Sequence, residues 1–94
     1  MIKEPYKKIS KTVESLLEWN GGMGFTCKSG SGHDIITDAS SQHGGGDLGA
    51  RPMELLLFSL GGCTGMDIVT FLKKKRRDVK DVKLKLSGQR ATVH

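Results

Sequence analysis

The sequence predicts an α+β fold: an antiparallel β-meander, one long buried helix, and a further strand. Three observations predict it. Short alternating segments separated by glycine turns fill 12–39, a continuous apolar run begins just after Pro52, and a lysine-interleaved alternation follows at 79–86. At 94 residues the chain is a single domain (1–94), near the size at which one core only marginally outweighs chain entropy.

Residues 1–11 are polar and basic, a loose lead-in. Beyond them, Val13, Ser15, Leu17 and Trp19 alternate with period two, whereas Tyr6, Ile9, Val13, Leu16 and Leu17 also fit helical spacing. Both readings of 6–17 stand at this point. Asn20-Gly21 favours the strand reading, because Asn-Gly adopts the positive φ angles of a hairpin turn. "MGFTCKS" then reads as a second strand, "GSGH" as a turn and "DIITDA" as a third strand. "SSQHGGGDLGARP" is made of turn formers and reads as a flexible loop.

Pro52 suits the first turn of a helix, where its missing N–H would be unpaired anyway. The spacing predicts a helix over 53–77. Its first half, 55–60, is apolar on every side and should be buried all round. After Thr64 the pattern narrows to Met66, Ile68, Val69, Phe71 and Leu72, and "KKKRR" closes the helix where cations favour the negative end of the macrodipole. Val79, Val82, Leu84 and Leu86 then alternate with lysines as a half-exposed strand. A helix apolar on all sides needs cover on all sides, and four short strands supply one sheet. The expectation is that a second copy covers the far face, in a homodimer or higher oligomer, or that the chain is an incomplete domain.

Composition narrows the function classes. The net charge is +5, concentrated in "KKISK" and "KKKRR", with five aromatics and no basic stripe interleaved with them, so nucleic acid is not the expected partner. The strong apolar run at 53–60 is far shorter than the roughly 20 residues that span a bilayer, and the N-terminus has no apolar signal region. The expectation is no membrane partner, a cytoplasmic location and reduced cysteines.

Chemistry centres on "SLGGCTGMD". Each glycine inside a helix costs about 1 kcal/mol relative to alanine, so Gly61 and Gly62 ask for a reason. They either let another element approach, leaving Cys63 an inert packing residue, or they open a path to its sulfur. A thiol with the ordinary pKa of about 8.5 is only a few per cent ionised at neutral pH, so a nucleophilic cysteine here needs a nearby cation or donor. Asp67 shares the face of Cys63, and Arg51 is the nearest cation upstream. Cys27 reads as a small strand filler. Cys27, Cys63, His33 and His43 have no metal-ligand spacing, so neither a metal nor a cofactor is expected. "HGGGDLGARP" lacks the Lys-Ser/Thr of a P-loop and does not form a phosphate fingerprint.

"GARPMELLLFSLGGCTGMDIVTFLKKKRRDVKDVKLKLSGQR" closely resembles the first half of OsmC/Ohr-family proteins, and "LLEWNGGMGFTCKSGSGHDIITD" is similar to the meander that precedes it there. The resemblance covers about 12–93; its most specific part is Pro-x-Glu-Leu followed by Gly-Gly-Cys-x-x-x-Asp. It implies two intertwined chains whose central helices are sandwiched by sheets. It further implies a thiol peroxidase that reduces small organic hydroperoxides, with Cys63 at the peroxide-attacking position and an external thiol reductant completing the cycle. Arg51 and Glu54 become candidate partners of that thiol. Three departures accompany the match. The family's second cysteine belongs to a C-terminal half that begins beyond His94, and Cys27 does not match it. Met53 stands where peroxidase members carry glutamate, with Glu54 one step, about 100°, further round the helix; this Met-Glu order is similar to less characterised branches. No motif identifies Arg51 as the family's arginine. The alternative reading is therefore a non-enzymatic OsmC-like fold that binds a small apolar molecule or is an inactive remnant.

Overall fold

The computed structural model describes residues 12–90. The lead-in expected at 1–11 lies outside them, as does the first part of the helical alternative for 6–17. Three strands, β1 (Ser15–Trp19), β2 (Phe25–Ser29) and β3 (Asp34–Thr37), precede one helix, α1 (Pro52–Lys74). The chain divides into two compact units, the first ending at Gly49 and the second beginning at Ala50.

In the first unit the strands form one antiparallel sheet in the order β1-β2-β3, as the alternation predicts. Leu17 lies opposite Cys27, and Cys27 opposite Ile35; Trp19 lies opposite Phe25, and Phe25 opposite Thr37. Side chains alternate across a strand, so these residues share one largely apolar face. On the other face Glu18 pairs with Lys28 at 2.9 Å. That hydrogen bond and the Glu18 charge, with a smaller contribution from Asp34, raise the Lys28 ammonium above the ordinary lysine range. The strand reading of 12–17 prevails because cross-strand pairing supplies partners that an isolated helical turn would lack.

The turns differ in detail from a two-residue hairpin. The first connection is 20–24, closed by the Asn20 N–H donating to Gly24 O at 3.1 Å. Trp19 Nε1 donates to Gly22 O, and Asn20 Oδ1 accepts the Gly22 N–H. The second is the three-residue loop 30–32, in which Gly32 takes a φ of 89° and the Ser29 N–H meets His33 O. A type I turn followed by a left-handed residue has this form.

The glycine-rich loop after β3 is not the free connection that its composition suggests. Asp38 is 3% exposed, and its carboxylate accepts the Ala39 N–H at 2.7 Å and the Gly46 and Leu48 N–H groups at 3.2 Å each. A 3₁₀ turn at Ser41–His43 ends in left-handed Gly44, and the Gly45 N–H and Asp47 N–H return to Ser40 O and Ala39 O. A β-carbon at Gly24 would stand 3.1 Å from the Asp38 carboxyl carbon, so glycine there leaves the space in which Asp38 sits.

In the second unit α1 begins at Pro52, with Glu54 Oε1 accepting the Arg51 N–H at 2.8 Å. This is half of a capping box, since arginine has no acceptor with which to reciprocate. The helix stops at Lys74 rather than at 77 because Arg76 turns left-handed, with φ 57°. The Arg77 N–H then reaches Leu72 O and the Arg76 N–H reaches Lys73 O, a Schellman ending that satisfies two of the last carbonyls.

Two expectations for this unit are corrected. First, α1 is not buried all round; Gly61 is its one buried residue, and Phe58 and Met66 are 67% and 73% exposed. Second, residues 78–90 form no strand. They pair with no other strand among the described residues and lay Leu84 and Leu86 against α1 instead. The two outcomes go together: among the described residues no hydrophobic side chain is buried, and Leu84 and Leu86 lie against one side of α1 only. α1 is also 23 residues long with a mean hydropathy of 1.7 over 18 of them, long and apolar enough to cross a membrane by length and composition, which the run at 53–60 alone did not suggest. Core helices of soluble proteins meet the same criterion, and Asp67 would cost about 2.5–3.5 kcal/mol near a bilayer centre.

Asp38→Ala removes the acceptor of three backbone N–H groups. It should lower the stability of the first unit by about 1–3 kcal/mol in urea denaturation, because unsatisfied buried donors carry their full desolvation cost. Exchange of the Gly46 and Leu48 amides should accelerate in parallel.

Candidate functional site

Residue spacing along α1 sorts its side chains into two faces. Leu57, Gly61, Gly65, Val69 and Leu72 recur at three or four residues and form the covered stripe, each buried or half-buried. Gly61 and Gly65 explain how the cover fits. A β-carbon on Gly61 would lie 2.7 Å from Leu86 Cδ1, and one on Gly65 would lie 2.9 Å from Leu84 Cδ1. These glycines hold a place for leucines. Gly62 is different, with nothing within 4 Å of where its β-carbon would stand.

Cys63 lies two residues after Gly61, about 200° round the helix, and therefore on the side away from Leu84 and Leu86. It is a free, exposed thiol. Its stripe includes Leu56 and Leu60, both more than half exposed, and Asp67. Ser59 turns its hydroxyl back to Leu55 O at 3.0 Å, so it is engaged with its own helix rather than with the sulfur. Room beside Cys63 comes from Gly62, whereas Gly61, its partner in the motif, serves packing.

The other two candidates are placed apart from the thiol. Glu54 and Cys63 are nine residues apart, half a turn round in projection, and the Glu54 carboxylate closes the start of the helix. Glu54 lines an open groove of about 330 Å³ with Leu57, Phe58, Leu84, Lys85 and Leu86, on the covered side. Arg51 sits at the helix start, about 18 Å along the axis from Cys63 at 1.5 Å per residue. Within one chain, then, α1 presents the thiol on one face and holds the candidate carboxylate on the other.

Further candidates sort quickly. Cys27 is half-buried on the sheet between Leu17 and Ile35, the position of a packing residue. No group of three or more His, Cys, Asp or Glu side chains that could hold a metal occurs among the described residues. The glycine-rich loop has no free cradle for a phosphate at Gly46 and Leu48, because their N–H groups already point at Asp38. Asp38 is the residue that the sequence reading missed. Its signal was a single acid at the junction of a strand and a run of turn formers, where carboxylates commonly accept backbone N–H groups.

A three-stranded antiparallel meander followed by one long apolar helix, with Gly-Gly-Cys near its middle, defines an α+β protein. The chain belongs to the OsmC-like protein family, whose pattern matches residues 44–94. It is 38% identical over 78 residues to Protein YhfA of Escherichia coli strain K12, covering 83% of this chain and 55% of that protein. Protein YhfA of Escherichia coli O157:H7 and that of Shigella flexneri match to the same extent. The chain thus spans about half the length of the curated relatives it matches.

Glu54→Ala should destabilise the second unit by about 1 kcal/mol, the usual effect of losing a cap, while Glu54→Gln keeps most of it because glutamine also accepts at this position. Thermal denaturation of the two variants beside wild type checks the capping role. Gly62→Ala should stabilise α1 by about 0.8–1 kcal/mol, and Gly61→Ala should gain less because Leu86 must move.

Proposed function

We propose that the protein reduces small organic hydroperoxides through Cys63, as a cytoplasmic OsmC-like thiol peroxidase. The observation that carries this reading is the placement of Cys63: exposed, beside the open space at Gly62, and on an apolar helix stripe that suits the hydrocarbon part of such a substrate. The thiolate attacks the terminal, hydroxyl-bearing oxygen of the O–O bond, so that the oxygen bonded to carbon leaves. The S–O bond forms as the O–O bond breaks; sulfur is oxidised to a sulfenic acid, and the peroxide leaves as an alcohol after taking up a proton. An external dithiol then condenses with the sulfenic acid, releasing water and giving a mixed disulfide, and its second thiol frees Cys63.

A second reading, binding of a small apolar molecule without turnover, is favoured by the capping role of Glu54 and the distance of Arg51 along α1. Both readings carry the further proposal that a second copy of the chain covers the exposed stripe, where large apolar side chains such as Leu56 and Leu60 lie in water. Residues that activate the sulfur then come from outside this α1.

Wild type and Cys63→Ser, each given cumene hydroperoxide and dithiothreitol, separate the readings. Peroxide loss should fall to the protein-free rate in Cys63→Ser. Equal loss in the two proteins overturns the enzymatic reading, and an alkylation profile of Cys63 that follows the ordinary cysteine value of about 8.5 favours binding alone. Light scattering should give the mass of a dimer or larger assembly, and a monomer at micromolar concentration contradicts the covering argument.

A further inference from the structure

Asn20 and Gly21 occupy the exposed connection between β1 and β2, in an arrangement with chemical consequences independent of Cys63. Asn20 is exposed, and nothing lies within 4 Å of the position that a side chain on Gly21 would occupy, so solvent and base reach the peptide between them. Asn20 Oδ1 accepts the Gly22 N–H at 3.1 Å. That bond folds the side-chain amide back over the Gly21 peptide and directs a donor at the oxygen that would gain charge if the amide carbon were attacked, as in an oxyanion hole. Among the described residues, no acceptor claims the Gly21 N–H.

The other end of the same side chain reaches the Asp38 seat. A β-carbon on Gly24 would lie 2.5 Å from Asn20 Nδ2 and 3.1 Å from the Asp38 carboxyl carbon, so both groups rest against the same bare face of Gly24. Asn20, Asp38, Gly46 and Leu48 also line one shallow cavity. Asn20 therefore presents a neutral amide next to the carboxylate that holds the glycine-rich loop.

We propose that Asn20 is a site of spontaneous conversion from amide to acid, and that this conversion loosens the loop held by Asp38. The Gly21 nitrogen gives up its proton to base and forms a bond to the Asn20 side-chain carbonyl carbon. The C–N bond to Nδ2 breaks, Nδ2 leaves as ammonia after taking up a proton, and a five-membered imide remains. Water opens the imide at either carbonyl to give aspartate or its β-linked isomer. No oxidant or reductant is consumed. Either product carries a negative charge beside Asp38, and like charges at this separation oppose each other.

The full chain, kept folded in mildly alkaline buffer, is sampled over time by peptide mapping beside a synthetic peptide of residues 17–24. Aspartate and isoaspartate should accumulate at position 20 in the folded chain at a rate within several-fold of the peptide's, or above it. Asn20 persisting intact in the folded chain while the peptide converts overturns the proposal. The coupling is read separately by hydrogen exchange: the Gly46 and Leu48 amides should exchange several-fold faster in Asn20→Asp than in Asn20→Gln. Equal exchange in the two variants overturns the link to Asp38.

Discussion

The approach of Leu84 and Leu86 to α1 over Gly61 and Gly65 organises the second unit, and it divides the helix into two faces with different prospects. On one face, missing side chains admit the leucines, and the segment 78–90 is drawn onto the helix. On the other, Leu56, Leu60 and Cys63 remain in contact with solvent. Because the apolar pattern of α1 runs almost all the way round, covering one face leaves a second face as apolar as the first. The match to the OsmC-like family at 44–94 takes in this helix and both of its faces.

This division changes the meaning of the motif. In sequence Gly61 and Gly62 read together, either as room for another element or as a path to the sulfur. In the structure the two glycines face different surroundings: Gly61 meets Leu86, and Gly62 meets open space. Glu54, a candidate partner of the thiol, closes the helix start from the opposite side. The proposed peroxidase reading therefore draws on groups other than Glu54 to activate Cys63, and the covering copy is proposed with it.

The meander was legible because alternation and glycine turns are local signals, and Leu17, Cys27 and Ile35 fall into register as the pattern implies. The helix was legible too, down to Pro52 at its first position. Its end was not, since nothing in "KKKRR" marks Arg76 for a left-handed turn, a conformation usually left to glycine. The strand expected at 79–86 failed for a different reason. Its alternation marked Val79, Val82, Leu84 and Leu86, but a strand exists only with a partner, and here Leu84 and Leu86 find a helix. Asp38 carried only the local signal of an acid ahead of turn formers; its partners eight and ten residues away follow from no local pattern.

The proposed peroxidase chemistry requires Cys63 to be the thiol that meets peroxide. Brief exposure of the reduced chain to less than one equivalent of an organic hydroperoxide in the presence of dimedone, followed by peptide mass spectrometry, tests this directly. A sulfenic-acid adduct should appear on the peptide containing Cys63 and be absent from that containing Cys27, which is half-buried on the sheet. An adduct confined to Cys27, or no adduct at Cys63 while hydroperoxide is consumed, would contradict it.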